Sequence, residues 1–146
     1  MRKLLRYIFD NTTPTQIQIS LCFMRVTIGI ISVKHGLTFM LDGMAAWQTF
    51  GAAINVLGIY FWPTMWGFLA ACTKFFGSIM FTFGFATRIV SFLIAFMMFI
   101  ATLWHIQKGE SFIVYAYPLS LVLVFLSFAS IGGGRFSIDY YLTTDK

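Results

Sequence analysis

The sequence predicts an all-α integral membrane protein: an antiparallel four-helix bundle with a short interfacial helix between the first and second spans. Of the 146 residues, 59% are hydrophobic and only 10% are charged, whereas soluble domains carry roughly 25% charged residues. The apolar residues form four runs of about 20 residues, the length of a helix that crosses a bilayer. Two of the three links between the runs are short, which makes neighbouring helices antiparallel.

The four runs divide the chain into a basic N-terminal segment (1–15), a membrane domain (16–139) and a tail (140–146). The predicted spans are Gln16–Met40, Trp62–Phe83, Arg88–Ile106 and Phe112–Ile131. In the long first link, Met44–Leu57 has apolar residues at helical spacing, which predicts a short helix in the interface or folded back on the bundle. Met1–Phe9 is expected to be an interfacial amphipathic turn.

Lysine and arginine residues flank the runs unevenly. With the N-terminus inside, the inner side carries Arg2, Lys3, Arg6, Arg88, Arg135 and Lys146, and the outer side carries Lys34 and Lys108. This asymmetry predicts a multi-pass protein with both termini in the cytoplasm. The net charge of +5 follows from these flanking positions and not from one basic face. The expected partner is therefore the lipid bilayer and not nucleic acid.

Each span has one face of small or hydroxylated residues. These faces are Cys22, Arg25, Gly29, Ser32 and Gly36; Gly67, Ala70, Ala71, Lys74, Gly77 and Ser78; Ser91, Ala95, Thr102 and His105; and Ala116, Ser120, Ser127 and Ser130. Such residues let membrane helices approach closely and form hydrogen bonds with each other. They predict a bundle with a polar interior, in which close packing is the simpler interpretation and ligand contact the alternative.

Arg25 and Lys74 are cations deep inside spans that contain no aspartate or glutamate. A charge at the bilayer centre costs at least ~2.5–3.5 kcal/mol, so neither side chain is expected to face lipid. Each is nine residues from the inner end of its predicted span, which places the two at one depth. Three explanations of how the two buried charges are balanced stay open. The cations reach carboxylates at the span ends, the lysine is neutral, or an anion or a carbonyl ligand lies between them.

His35 and His105 lie near the outer ends of their helices. Two such histidines could bind a haem, but hydrogen-bonded interfacial histidines are the simpler interpretation. No metal-ligand spacing is present, and Cys22 and Cys72 lie at depths too different for a disulfide. The candidate ligand-binding residues are Arg25, Ser32, His35, Lys74, Ser78 and His105. No catalytic residue is assigned.

Arg88 starts the third span and Asp139 follows the fourth, so both are expected on the cytoplasmic side. We predict an ion pair between them that ties the GFATR turn to the GGGRFSID segment. If exposed, such a pair contributes only ~0–1 kcal/mol.

Several short pieces of sequence, in this order and spacing, resemble the DoxX family of small four-span membrane proteins. The pieces are Met24-Arg25 with Gly29, His35-Gly36, Phe75-Phe76-Gly77, the GFATR turn at 84–88, His105, and the GGGRFSID ending at 132–139. The chain departs from the family at Lys74, where members usually have a glutamate, and at Gly133, where they have a proline. The resemblance therefore implies that an Arg25–carboxylate pair of the family is lost here.

The resemblance implies a place in the bacterial cytoplasmic membrane and an association with quinone-linked redox chemistry. Our first hypothesis is a membrane subunit of a redox complex that binds a quinone or a small oxyanion in the bundle interior. Arg25 and Lys74 would donate hydrogen bonds, and His35 or His105 would carry a proton. The second hypothesis is a non-catalytic anchor or assembly subunit for a partner protein. A partner subunit or a homo-oligomer is compatible with both.

Overall fold

The computed structural model describes residues 14–144, and this part of the chain is helical without a β-strand. The helices are α1 (Pro14–Leu41), α2 (Gly43–Gly51), a 3₁₀ helix (Ala52–Leu57), α3 (Pro63–Phe83), α4 (Thr87–Gln107), α5 (Phe112–Ile131) and α6 (Ile138–Thr144). The all-α prediction and the short helix in the first link are confirmed. The predicted turn at Met1–Phe9 lies outside the described residues.

Four helices, α1, α3, α4 and α5, are long and apolar enough to cross a membrane. In contrast to a soluble protein, these helices expose apolar side chains and bury polar ones. The exposed side chains include Phe23, Ile113 and Leu123, whereas the buried polar ones are Arg25, Ser32, Lys74, Ser78, Thr87, Ser91, Thr102 and Ser137. In water, a protein with so apolar a surface would associate with other molecules through its exposed apolar patches. The chain is therefore an integral membrane protein surrounded by lipid.

The bundle has two distinct ends. The tail end carries the tight turn between α3 and α4, together with α6. Gly84 ends α3 in the left-handed conformation, with φ of 73°, which glycine adopts without steric cost. The loop end carries α2, the 3₁₀ helix and the link between α4 and α5.

Helices α1 and α3 pack closely in an antiparallel pair. Gly29 lies against Thr82, and Gly36, seven residues further on, lies against Phe75, seven residues back. A Cβ at Gly36 would come within 2.7 Å of the Cα of Phe75, so only glycine allows this approach. In this register, about 14 residues of α1 extend past the end of α3 at the tail end, a distance of ~21 Å.

The hydrophobic core occupies the half of the bundle nearer the tail end. It consists of Phe81 from α3, Val90, Ile94 and Ala95 from α4, and Phe125 and Phe128 from α5. The ring of Phe81 packs edge-on against both phenylalanines of α5, with ring centroids 4.9 Å apart in each pair. Such pairs add stability beyond the area that they bury.

The predicted polar face of the fourth span is wrong. Ser120, Ser127 and Ser130 are exposed, and the buried face of α5 consists of Pro118, Val122, Phe125 and Phe128. Each serine hydroxyl donates to the carbonyl of the residue four positions earlier, at 2.7–3.0 Å. A serine bonded in this way needs no interhelical partner and can face lipid at small cost. The predicted polar or small faces of the other three spans are buried, with Cys22, Ala70 and His105 partly so.

Candidate functional site

A cavity of about 280 Å³ lies in the loop-end half of the bundle, between the first link, α3 and α4. Its lining is mainly aromatic, aliphatic and methionine side chains: Phe39, Phe50, Ala53, Ile54, Trp66, Leu69, Ala70, Thr73, Leu93, Phe96, Met97, Met98, Ile100, Ala101, Trp104 and His105, with Gly51. The core phenylalanines do not extend into this half. The cavity therefore lies where the four-helix core ends and α2 covers the bundle.

The covering segment is fixed by a close crossing of two glycines. A Cβ at Gly51 would collide with the carbonyl of Pro63, and one at Gly67 would collide with the backbone of Trp47. Trp47 also donates its indole N–H to the carbonyl of Phe39 at 3.1 Å. The first link is thus folded back against α3, the second of the two positions that the sequence left open.

His105 gives the cavity its main polar group. Its Nδ1 lies 2.8 Å from Oε2 of Glu110, and both side chains are partly exposed at the loop end. Glu110 also donates its backbone N–H to the carbonyl of His105. A carboxylate bonded to one ring nitrogen decides which nitrogen carries the proton and holds the ring in place. His105 thus joins the cavity to the surface of the bundle.

Trp66 lines the cavity and carries a buried polar group. Its Nε1 is buried and has no hydrogen-bond partner within residues 14–144. A buried donor without a partner loses the free energy of its hydrogen bonds to water. A ligand oxygen that reached this nitrogen would recover that loss.

Lys74 lies beside the cavity but does not line it. Its side chain is only 6% exposed, and Nζ lies 3.4 Å from Sδ of Met98, a cavity residue. The prediction that Lys74 faces the protein interior is confirmed. A thioether is a weak acceptor, so this contact offsets little of the cost of burying the amine.

Arg25 belongs to a separate cluster at the tail end. Its Nη2 donates to the carbonyl of Phe136 at 2.5 Å, and its guanidinium group lies against Gly84. Gly84 is ten residues from Lys74 along α3, about 15 Å at helical rise. The prediction of one depth for the two cations is therefore wrong, because α1 extends beyond α3 at the tail end. The implied pairing of Arg25 with a residue at position 74 is excluded by the same distance.

The GFATR turn and the GGGRFSID segment are joined, but the predicted ion pair between Arg88 and Asp139 does not join them. The carboxylate of Asp139 accepts the backbone N–H groups of Ala86 and Thr87 at 2.7 and 2.8 Å, and Asp139 N–H donates to the carbonyl of Gly84. Within the described chain, the only salt bridge is that of His105 with Glu110. Asp139 binds the turn itself because the first N–H groups of α4 have no partner within the helix.

The remaining candidates are scattered. Ser32 and Ser78 are buried within the bundle, and His35 is exposed with its ring 5.9 Å from that of Tyr117. Of the six residues proposed from the sequence, only His105 lines the cavity. Sequence reasoning missed Trp66, Thr73 and Met98, which are apolar or weakly polar residues without a motif. The residues that could hold a metal are too few: no group of three or more His, Cys, Asp or Glu side chains occurs in residues 14–144.

The four apolar helices, the buried polar groups and the apolar cavity define a small multi-pass membrane protein with an internal cavity. The model of the DoxX family matches residues 20–107, which include α3, α4 and most of α1. The chain belongs to the DoxX family. No curated protein and no solved structure matches it.

Proposed function

We propose that this protein is a membrane subunit of a redox complex and that it binds a lipid-soluble quinone in the cavity beneath α2. The observation that supports this most directly is the lining: aromatic, aliphatic and methionine side chains with a few polar groups. Small-molecule sites have this composition, and the volume of about 280 Å³ is close to the lower end of their usual range. The family resemblance points to quinone-linked chemistry on independent grounds.

The lining favours a quinone over the small oxyanion considered from the sequence. An anion needs cations or several N–H donors, and neither Arg25 nor Lys74 lines the cavity. A quinone ring is planar and apolar, with two carbonyl acceptors. The indole N–H of Trp66 is a donor for such an oxygen, and the aromatic and aliphatic walls could pack against the ring faces.

The cavity also has a side through which a lipid-borne molecule could enter. Leu69, Leu93 and Phe96 line it and are 46%, 46% and 47% exposed. In a bilayer these exposed atoms face acyl chains. A ring could therefore occupy the cavity while its tail stays in lipid.

An anchoring role without a ligand is the second candidate. It explains the apolar surface equally well, but it gives no reason for the cavity. It also leaves the indole N–H of Trp66 without a partner. We therefore place quinone binding first.

The test uses purified protein in detergent and a short-chain benzoquinone. Binding should raise the melting temperature, because a ligand that binds only the folded state stabilises it. Ala101 lines the cavity, and Ala45 is exposed on α2. Ala101→Phe should abolish the shift and Ala45→Phe should keep it. Absence of a shift in the natural sequence, and absence of a co-extracted quinone by mass spectrometry, would reject quinone binding in favour of the anchor.

A further inference from the structure

We infer that the cavity selects the reduced ring: it binds a quinol in preference to the quinone, and His105 makes the distinction. The inference rests on the proposed function and adds to it the redox form that the site prefers. It follows from the direction of one hydrogen bond. It needs no electron transfer, because both forms are compared as ligands.

The pair of His105 and Glu110 is built into the end of α4. The chain turns back at Gly109, whose φ is 71°, and Glu110 donates its N–H to the carbonyl of His105. This short loop holds the carboxylate at 2.8 Å from Nδ1. An ionised carboxylate can only accept. In a neutral imidazole the proton therefore lies on Nδ1, and Nε2 is left as an acceptor.

Lys108 does not compete for the carboxylate. Its ammonium group lies over the ring of Trp104, 3.5 Å from the ring centroid. Within the described residues, the hydrogen-bond partner of the Glu110 carboxylate is His105. The charges at this end of the bundle thus leave the tautomer of His105 under the control of Glu110.

An acceptor at Nε2 recognises a hydroxyl group. A quinol donates its O–H to such a nitrogen, whereas a quinone carbonyl brings a second acceptor to the same place. The quinone would therefore leave two acceptors facing each other with no proton between them, and it would lose the hydrogen bond that the quinol makes. The indole N–H of Trp66 can only donate a hydrogen bond. The oxygens of a quinone and of a quinol can both accept it, so Trp66 does not distinguish the two forms. The preference for quinol should be about tenfold, the value of one ordinary hydrogen bond.

The experiment measures dissociation constants by titration calorimetry in lipid nanodiscs. The ligands are a short-chain benzoquinone and its quinol, both kept anaerobic. The natural sequence should bind the quinol about tenfold more tightly. His105→Phe should keep quinone binding and lose the preference, since a ring remains but the acceptor is gone.

Glu110→Gln is the second variant, because it keeps the shape of the side chain. A glutamine can accept or donate, so both tautomers of His105 become available and the preference should fall toward none. Lys108→Gln is the matched control and should leave the preference unchanged. Equal binding of the two forms by the natural sequence, or a preference that persists in His105→Phe, overturns the inference but leaves quinone binding intact. Failure of both forms to bind overturns the proposed function itself.

Discussion

At the residue scale, Asp139 is the side chain that holds the tail to the turn between α3 and α4. It accepts two backbone N–H groups, from Ala86 and Thr87, at a helix start where an anion is favoured. Asp139→Asn keeps one acceptor and loses the charge. We expect a loss of roughly 1.5–3 kcal/mol of stability, the value of hydrogen bonds to a charged group.

Asp42→Asn is the control for this substitution. Asp42 is exposed and its side chain makes no capping hydrogen bond to α2. Thermal unfolding of both variants in detergent gives the comparison. Similar melting temperatures for the two would show that the Asp139 carboxylate is not needed at the turn.

Lys74 leads to a prediction that the sequence alone would have reversed. The family resemblance implies that a glutamate at position 74 would pair with Arg25, but Arg25 lies at the tail end against Gly84. Lys74→Glu should therefore lower the melting temperature. Lys74→Met should keep or raise it, because an apolar side chain often replaces a buried charge without loss.

Lys34 supplies the control, since it is an exposed lysine on α1. Lys34→Met should change the melting temperature little. If Lys74→Met proved strongly destabilising while Lys34→Met did not, Lys74 would have a partner stronger than the Met98 thioether. A water molecule or a bound ligand could be that partner.

At the element scale, the crossing of α2 over α3 decides whether the cavity is closed. Gly67 allows this crossing because a Cβ there would meet the backbone of Trp47, which no rotamer change can move. Gly67→Ala should cost about 1–3 kcal/mol, the usual penalty for overpacking. It should also weaken quinone binding, because α2 would be displaced from the cavity wall.

Gly77→Ala is the matched control on the same helix. Its Cβ would meet only the side chains of Val90 and Ile94, the nearest atom at 3.3 Å. These side chains can adjust, so the cost should be smaller and the cavity unaffected. Melting temperatures and quinone titrations of the two variants decide the matter, and equal effects would argue against the role of the crossing.

At the scale of the whole molecule, the distribution of basic residues predicts which end of the bundle faces the cytoplasm. Arg88 and Arg135 lie at the tail end, whereas Lys108 lies at the loop end. The basic residues 2, 3 and 6, outside the described part, belong to the N-terminal segment before α1. This bias predicts that the tail end is cytoplasmic. The pair of His105 and Glu110 would then open to the outer side.

Thiol labelling tests this orientation. In a chain with Cys22 and Cys72 replaced, a cysteine at Gln48 should react with an impermeant reagent in intact cells. A cysteine at Thr144 should react only after the membrane is opened. Both positions are exposed in the structure, so burial does not explain a difference. The opposite labelling pattern would invert the protein and place His105 on the cytoplasmic side.

The sequence by itself determined the helices and their environment. The length of the apolar runs, the small faces of α1 and α3, and the low charge are local properties, and the bilayer leaves few other structures available to such a chain. The buried positions of Arg25 and Lys74 followed from the same cost of placing charge in lipid. These predictions needed no knowledge of which residues meet.

Only the tertiary structure decided how the helices are shifted along one another. Apolar periodicity defines a face but not a depth, so the separation of Arg25 from Lys74 depended on glycine contacts such as that of Gly36 with Phe75. The cavity depended on the same kind of fact. Its wall comes from α2, α3 and α4, and residues such as Trp66 and Met98 carry no motif in sequence. A site made of common apolar residues exists only where packing leaves space, and packing is a property of the assembled bundle.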